Sequence, residues 1–169
     1  AAECPVDIYQ PSQLTQAGLT IQKAAGSERP DDAKKNLRDA MRYLQDEKRL
    51  AGNPTGVGFL KAQIYVLWLH QEGAVEVMTN DALNTKGPKT ETVDLITTTD
   101  SLLKAVEAMG PTCSEETREW RQSKPWIERI NKAYGFLSAG TLDSASYYLN
   151  RSALLFPSSP FVYNARAQL

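Results

Sequence analysis

Residues 57–71 are apolar on almost every side of a helix: Phe59, Leu60, Ala62, Ile64, Tyr65, Val66, Leu67, Trp68 and Leu69 follow one another with few polar interruptions. A helix without a polar face is stable in water only when other elements cover most of its circumference. The chain must therefore supply several covering elements. Its 169 residues suffice, since a domain of this size encloses a core without metals or cross-links.

Those elements read as helices. Apolar residues elsewhere recur three and four apart, and Val, Ile and Thr never alternate with polar residues over a strand's length, so no β-sheet is expected. A first helix follows Pro11, with Ser12 as its cap, and carries Leu14, Ala17, Ile21 and Ala24 to a stop at Gly26. A second starts after Pro30 at Asp31 and Asp32, whose carboxylates suit a positive helix end. It carries Ala33, Leu37, Ala40, Met41, Leu44 and Leu50 as far as Gly52-Asn53-Pro54. Beyond 57–71 the pattern lapses over 73–90, where a short helix at 74–78 precedes a polar run at 84–90, the longest loop. A fourth long helix over 92–109 sets Val93, Ile96, Leu103 and Val106 near one face and stops at Gly110-Pro111. A short helix over 114–122 leads to Pro125, and three more span 126–138, 142–155 and 160–169.

Helices separated by short turns at a period of about 34 residues direct attention to internal repeats. Ala133, Phe136, Gly140, Leu142, Ala145, Leu149, Ser152 and Pro157 match, in order, the small, aromatic, Gly, aromatic, Ala, aromatic, Ala and Pro positions of a tetratricopeptide repeat. Small side chains at 133 and 145 let two helices approach, Gly140 supplies the turn, and Pro157 ends the hairpin. The C-terminal third thus resembles that family. Phe161, Tyr163 and Ala167 look like the first helix of a following repeat, while Ala62 and Tyr65 suit a first helix upstream and Ala33, Leu37 and Ala40 a second.

The resemblance implies an all-α fold, a right-handed superhelix of antiparallel helical hairpins forming an α-α solenoid. It would be a single domain over 1–169, with hairpins at about 12–51, 57–109 and 126–156 and a half-hairpin at 160–169. In such proteins the concave face is lined by the first helix of each pair and holds an extended peptide or another protein's helix. Transferred position by position, that face comprises Phe59, Gln63 and Val66 together with Ile127, Ile130, Asn131, Tyr134 and Leu137. Members that grip a peptide's terminal carboxylate use Lys and Asn at set positions, where this chain has Ile130 and Tyr134. Only Asn131 remains, so that clamp is not expected, and the groove reads as apolar with aromatic and amide points. Trp120, Trp126 and Tyr134 form a candidate aromatic binding patch, or else core.

Other chemistries find little support in the residues. Lys and Arg total 19 against 20 Asp and Glu, a net charge of -1, so no global field draws the protein onto nucleic acid. The strongly apolar run 64–69 is far shorter than the roughly 20 residues of a transmembrane helix. His70 is the single histidine, without Cys or carboxylate at ligand spacing, so neither a metal site nor a His-based triad is expected. The pairs Asp31-Asp32, Asp46-Glu47 and Glu115-Glu116 suit helix caps and solvated faces better than the acid–base work of a carboxylate-dependent hydrolase. The Gly-rich segment 52–58 precedes a helix but lacks the Lys-Ser/Thr ending of a nucleotide loop. The basic residues Lys34, Lys35, Arg38, Arg42, Lys48 and Arg49 are interrupted by Asp39, Asp46 and Glu47, a solvated helix face. No cofactor is expected.

Two cysteines, Cys4 and Cys113, fit one disulfide in an oxidising compartment, or two free thiols in a reducing one. The opening Ala1-Ala2-Glu3-Cys4-Pro5 resembles what signal-peptide removal leaves, which points to export into the periplasm, the outer envelope or the medium. The functional expectation is a non-enzymatic module that binds protein or peptide, or serves as a scaffold. The alternative is a structural N-terminal domain of a larger or self-associating assembly, associating through the half-hairpin at 160–169.

Overall fold

The computed structural model describes residues 3–169; Ala1 and Ala2, which carry part of the signal-cleavage reading, lie outside them. The described residues form ten helices and one two-stranded ribbon, and the chain divides into two compact units, 1–117 and 118–169. The boundary falls inside α7 (Cys113–Arg121).

In the first unit, α4 (Pro54–Leu69) is the central element. Twelve of its residues are buried, as its missing polar face requires, with α1 (Ser12–Gly26), α2 (Pro30–Tyr43) and α6 (Leu95–Glu107) packed on it. Helices α1 and α2 are joined by residues 27–29 alone, which makes them an antiparallel pair; Leu14, Ala17, Ile21 and Ala24 meet Ala33, Leu37, Ala40 and Met41 in the core. Gly58 permits the close approach of α4 to α6, since a Cβ there would stand 3.1 Å from Leu102 Cδ2.

Several local expectations are corrected. Ser12 lies inside the first turn of α1, after an N-cap at Pro11, and makes no capping bond. The second helix stops at Tyr43, because the Asp46 carboxylate accepts from Arg49 N at 3.2 Å and opens a separate short helix, α3 (Glu47–Leu50). The sheet-free reading fails in one place. Residues 77–79 are not helical but form β1 (Val77–Thr79), which pairs antiparallel with β2 (Thr92–Asp94) in the register Val77 to Asp94, Met78 to Val93 and Thr79 to Thr92.

The segment expected as a loop is a built excursion. Between the strands lies α5 (Asn80–Leu83), capped by Thr79 and closed by Asn84 in the left-handed conformation. The buried Asn80 side chain donates to Pro88 O at 3.1 Å and accepts from Thr85 Oγ1 at 2.7 Å. Arg38 of α2 donates through Nη1 to the carbonyls of Asp81 and Ala82, and Asn84 Nδ2 returns a bond to Arg38 O at 2.9 Å. The carbonyls that a short helix leaves free at its end are thereby satisfied.

Residues 3–11 form neither helix nor strand. Cys4 is bonded to Cys113 (S–S 2.09 Å, Cα–Cα 4.9 Å). Asn53 Nδ2 donates to Asp7 O at 2.7 Å and Gln10 O at 2.8 Å, while its Oδ1 accepts from Gly56 N at 3.0 Å. The Gly-rich turn at 52–58 is thus a seat for this arm: a Cβ on Gly56 would fall 2.1 Å from Asp7 O.

The second unit is built on α8 (Lys124–Ser138), α9 (Leu142–Leu155) and α10 (Pro160–Gln168). Helix α8 ends in a Schellman closure. Gly140 takes φ +75, Gly140 N donates to Leu137 O at 3.1 Å, and Thr141 N donates to Phe136 O at 2.9 Å. The turn returns α9 along α8, so that Ala133 and Ala145 are both buried, and Ile130, Ala133, Leu149, Val162 and Ala165 form the core cluster. Arg121, also buried, donates to Leu154 O and Leu155 O at 3.2 and 3.1 Å, capping the C-terminal end of α9.

Candidate functional site

Helix α8 buries one side and presents another. Ile130 and Ala133 face the core, while Ile127, Asn131 and Tyr134, spaced four and three apart, form an adjacent stripe. Helix α10 repeats the pattern in nine residues: Val162 and Ala165 are buried, and Phe161, Asn164 and Gln168 make the neighbouring stripe. The two stripes bound a cleft of about 780 Å³ lined by Trp126, Ile127, Ile130, Asn131, Tyr134, Phe161, Asn164, Ala167 and Gln168.

Three contacts fix this geometry. Tyr134 donates its hydroxyl to Phe161 O at 3.0 Å, holding α8 to the first turn of α10. The Trp126 ring stands edge-on to Phe156, with centroids 5.1 Å apart and planes at 84°. It is also tilted at 52° against Phe161, with centroids 6.3 Å apart. Such edge-to-face arrangements are worth about 0.5–1.5 kcal/mol beyond buried area, so this end of the cleft is a preorganised wall. Ile127 and Phe161 remain 44% and 53% exposed at its rim.

No protein-family model, curated protein or solved structure matches the chain.

What the cleft can accept is set by its own side chains. Its polar side-chain groups are the carboxamides of Asn131, Asn164 and Gln168, the phenol of Tyr134 and the indole N–H of Trp126. Carboxamides both donate and accept, so they can pair with a peptide main chain, which offers N–H and C=O alternately. The remaining lining is apolar, and a volume within about 300–1,000 Å³ is that of a typical ligand site. Among the described residues no cluster of three or more His, Cys, Asp or Glu is placed to hold a metal ion. No helix of the described residues is long and apolar enough to cross a membrane.

Of the residues expected on a concave face, Ile127, Ile130, Asn131 and Tyr134 come together in this cleft, and Leu137 packs against the core cluster of the second unit. Phe59, Gln63 and Val66 belong to the first unit and are 3%, 8% and 0% exposed. They offer no open lining, because α1, α2 and α6 enclose α4. Residues absent from the expected face are Trp126, Phe161, Asn164, Ala167 and Gln168. Trp126 and Phe161 stand out in the sequence as aromatics. Asn164 and Gln168 are recognisable only by their spacing three and seven residues after Phe161.

Tyr65 and Lys61 of α4, outside the cleft, are perturbed. Burial within α4 pushes the Tyr65 hydroxyl from 10.0 up to about 12. Burial also lowers Lys61, and Lys86 adds to that effect, while Glu47 opposes it.

Proposed function

We propose that the protein is a non-enzymatic binding module that holds a peptide or protein segment in the α8–α10 cleft. The cleft itself carries this reading: an apolar, aromatic-walled trough whose polar side-chain groups are mainly amides suits main-chain hydrogen bonding beside an inserted apolar side chain. Burying a charge there would lack a partner of opposite sign, so the favoured segment is uncharged over the residues it inserts. The repeat-like closure at Gly140, with Ala133 and Ala145 at the helix contact, supports a tetratricopeptide-like arrangement continuing as a right-handed superhelix. The Cys4–Cys113 bond favours an exported protein, since disulfides persist in oxidising compartments.

Selection from a displayed peptide library tests the binding reading. We expect enriched peptides rich in apolar and aromatic residues and poor in charge. Their affinity should fall by about tenfold or more when Phe161 or Asn131 is replaced by Ala, as for truncation of an interface anchor. Peptides that bind the Phe161→Ala and Asn131→Ala variants as well as the parent would exclude the cleft as the site.

A second reading rests on Tyr163 of α10 and Leu169 just after it, which lie outside the cleft lining and are 64% and 47% exposed. This surface supports a structural role in a larger or self-associating assembly. Sedimentation equilibrium distinguishes the two: a monomer at all concentrations argues against self-association, and a dimer abolished by Tyr163→Asp supports it.

A further inference from the structure

We infer that the Cys4–Cys113 bridge is a redox latch: thiol–disulfide exchange opens it at Cys4 and releases residues 3–6 from the first unit, while Asn53 keeps residues 7–10 seated.

The division of the arm follows from how its two halves are held. Among the described residues, the bridge is the one covalent, ionic or hydrogen-bonded tie that residues 3–6 make to the rest of the unit. Their other neighbour is the turn after α6, where a Cβ built on Gly110 would lie 3.9 Å from Pro5 Cδ. Residues 7–10 are held several times over. Asp7 O and Gln10 O accept from Asn53, and Tyr9 O accepts from Thr15 Oγ1 at 2.7 Å. The hinge therefore falls between Val6 and Asp7. Among the described residues, loss of the bridge leaves 3–6 with no covalent or hydrogen-bonded anchor and 7–10 with all of theirs.

Access decides which sulfur is attacked. Cys113 is wholly buried at the start of α7, whereas Cys4 is partly exposed on the arm. Exchange requires a thiolate to approach a sulfur in line with the bond that breaks, and of the two cysteines only Cys4 has surface exposed to solvent. A dithiol reductant's thiolate bonds to Cys4 Sγ, the Sγ–Sγ bond breaks, and Cys113 leaves as a thiolate that takes up a proton. The reductant's second thiolate then attacks its own sulfur in the mixed disulfide. Cys4 leaves as a thiolate and is protonated, the protein has gained two electrons and two protons, and the reductant has become its cyclic disulfide.

The test uses the whole 169-residue protein, oxidised and after dithiothreitol treatment without denaturant, followed by backbone NMR relaxation, hydrogen exchange and differential alkylation with peptide mapping. The latch predicts backbone order parameters at Cys4 and Val6 that fall on reduction from the rigid range of about 0.85 to below about 0.6, with less than about twofold change in amide exchange at Tyr9, Gln10 and α4. It also predicts alkylation of Cys4 at least about tenfold faster than that of Cys113. A Cys4→Ser/Cys113→Ser variant should show the same local opening without reductant, and adding Asn53→Ala should extend it through Gln10. Faster exchange throughout the first unit on reduction would overturn the latch and make the bond a global staple. Equal alkylation of the two cysteines, or a bond reduced only in denaturant, would overturn it as well.

Discussion

Asn53 and Gly56 show how much can depend on a single side chain and on the absence of another. Asn53 uses both ends of its carboxamide: it caps α4 through Gly56 N and donates to two carbonyls of the arm. Gly56 leaves the space in which Asp7 O sits. Asn53→Ala therefore removes a cap and leaves two acceptors short of their donor, and should lower the free energy of unfolding by about 2 kcal/mol. Gly56→Ala places a carbon against a backbone oxygen that no rotamer change can move, and should cost about 1–3 kcal/mol. Gly18, inside α1, makes the contrast, since an added Cβ meets nothing within 4 Å. Gly18→Ala should stabilise by about 0.5–1 kcal/mol, because the helix gains where glycine was a burden. Urea unfolding of the three variants checks the opposite signs; a Gly56→Ala protein as stable as the parent would mean that the arm is not seated on α4.

The excursion from β1 through α5 to β2 depends on α2 as an anchor. Arg38 closes the end of α5 and Asn84 answers to the Arg38 carbonyl, so two elements far apart in sequence are tied through one residue. Arg38→Ala should accelerate hydrogen exchange over residues 80–85 by about tenfold while leaving α1 and α4 unchanged, as expected for a local opening; uniform acceleration across the first unit would contradict this. Sequence periodicity reveals the long helices because each repeats its apolar spacing over two or more turns: Leu14 to Ala24, Ala33 to Met41, and the unbroken apolar run of α4. It misses the ribbon because three-residue strands are too short to alternate, and their pairing partners lie 13 to 17 positions away. It misses the break before α3 because Asp46 caps within an otherwise continuous helical pattern. The Ile127, Asn131 and Tyr134 stripe is reached from the sequence through the repeat resemblance, by transfer of positions. The burial of Phe59, Gln63 and Val66 is not, since it depends on which neighbours cover α4 and repeat position cannot supply that.

For the whole molecule, the perturbed groups of α4 shape stability at high pH. Tyr65 holds its proton to about 12 in the folded protein, against 10.0 without the fold, and is 4% exposed. Between those values the unfolded chain has released the proton and the folded chain has not, so stability must fall as pH rises. Two pH units of such linkage amount to roughly 2–3 kcal/mol. Lys61 acts oppositely and earlier. Burial lets its ammonium give up a proton below 10.5 in the folded state, so just below that value the unfolded chain binds more protons and stability rises with pH. The two slopes should give a shallow maximum near the unfolded lysine value followed by a steep decline. Unfolding by urea at a series of alkaline pH values reads this directly. Tyr65→Phe should flatten the decline between 10 and 12, and Lys61→Met should remove the rise before it. A Tyr65→Phe protein that declines as steeply as the parent would show that the alkaline transition belongs to other groups. Because both side chains belong to α4, the helix with no polar face, the pH response and the enclosure of that helix have one physical origin: ionisable groups held where water cannot reach them freely.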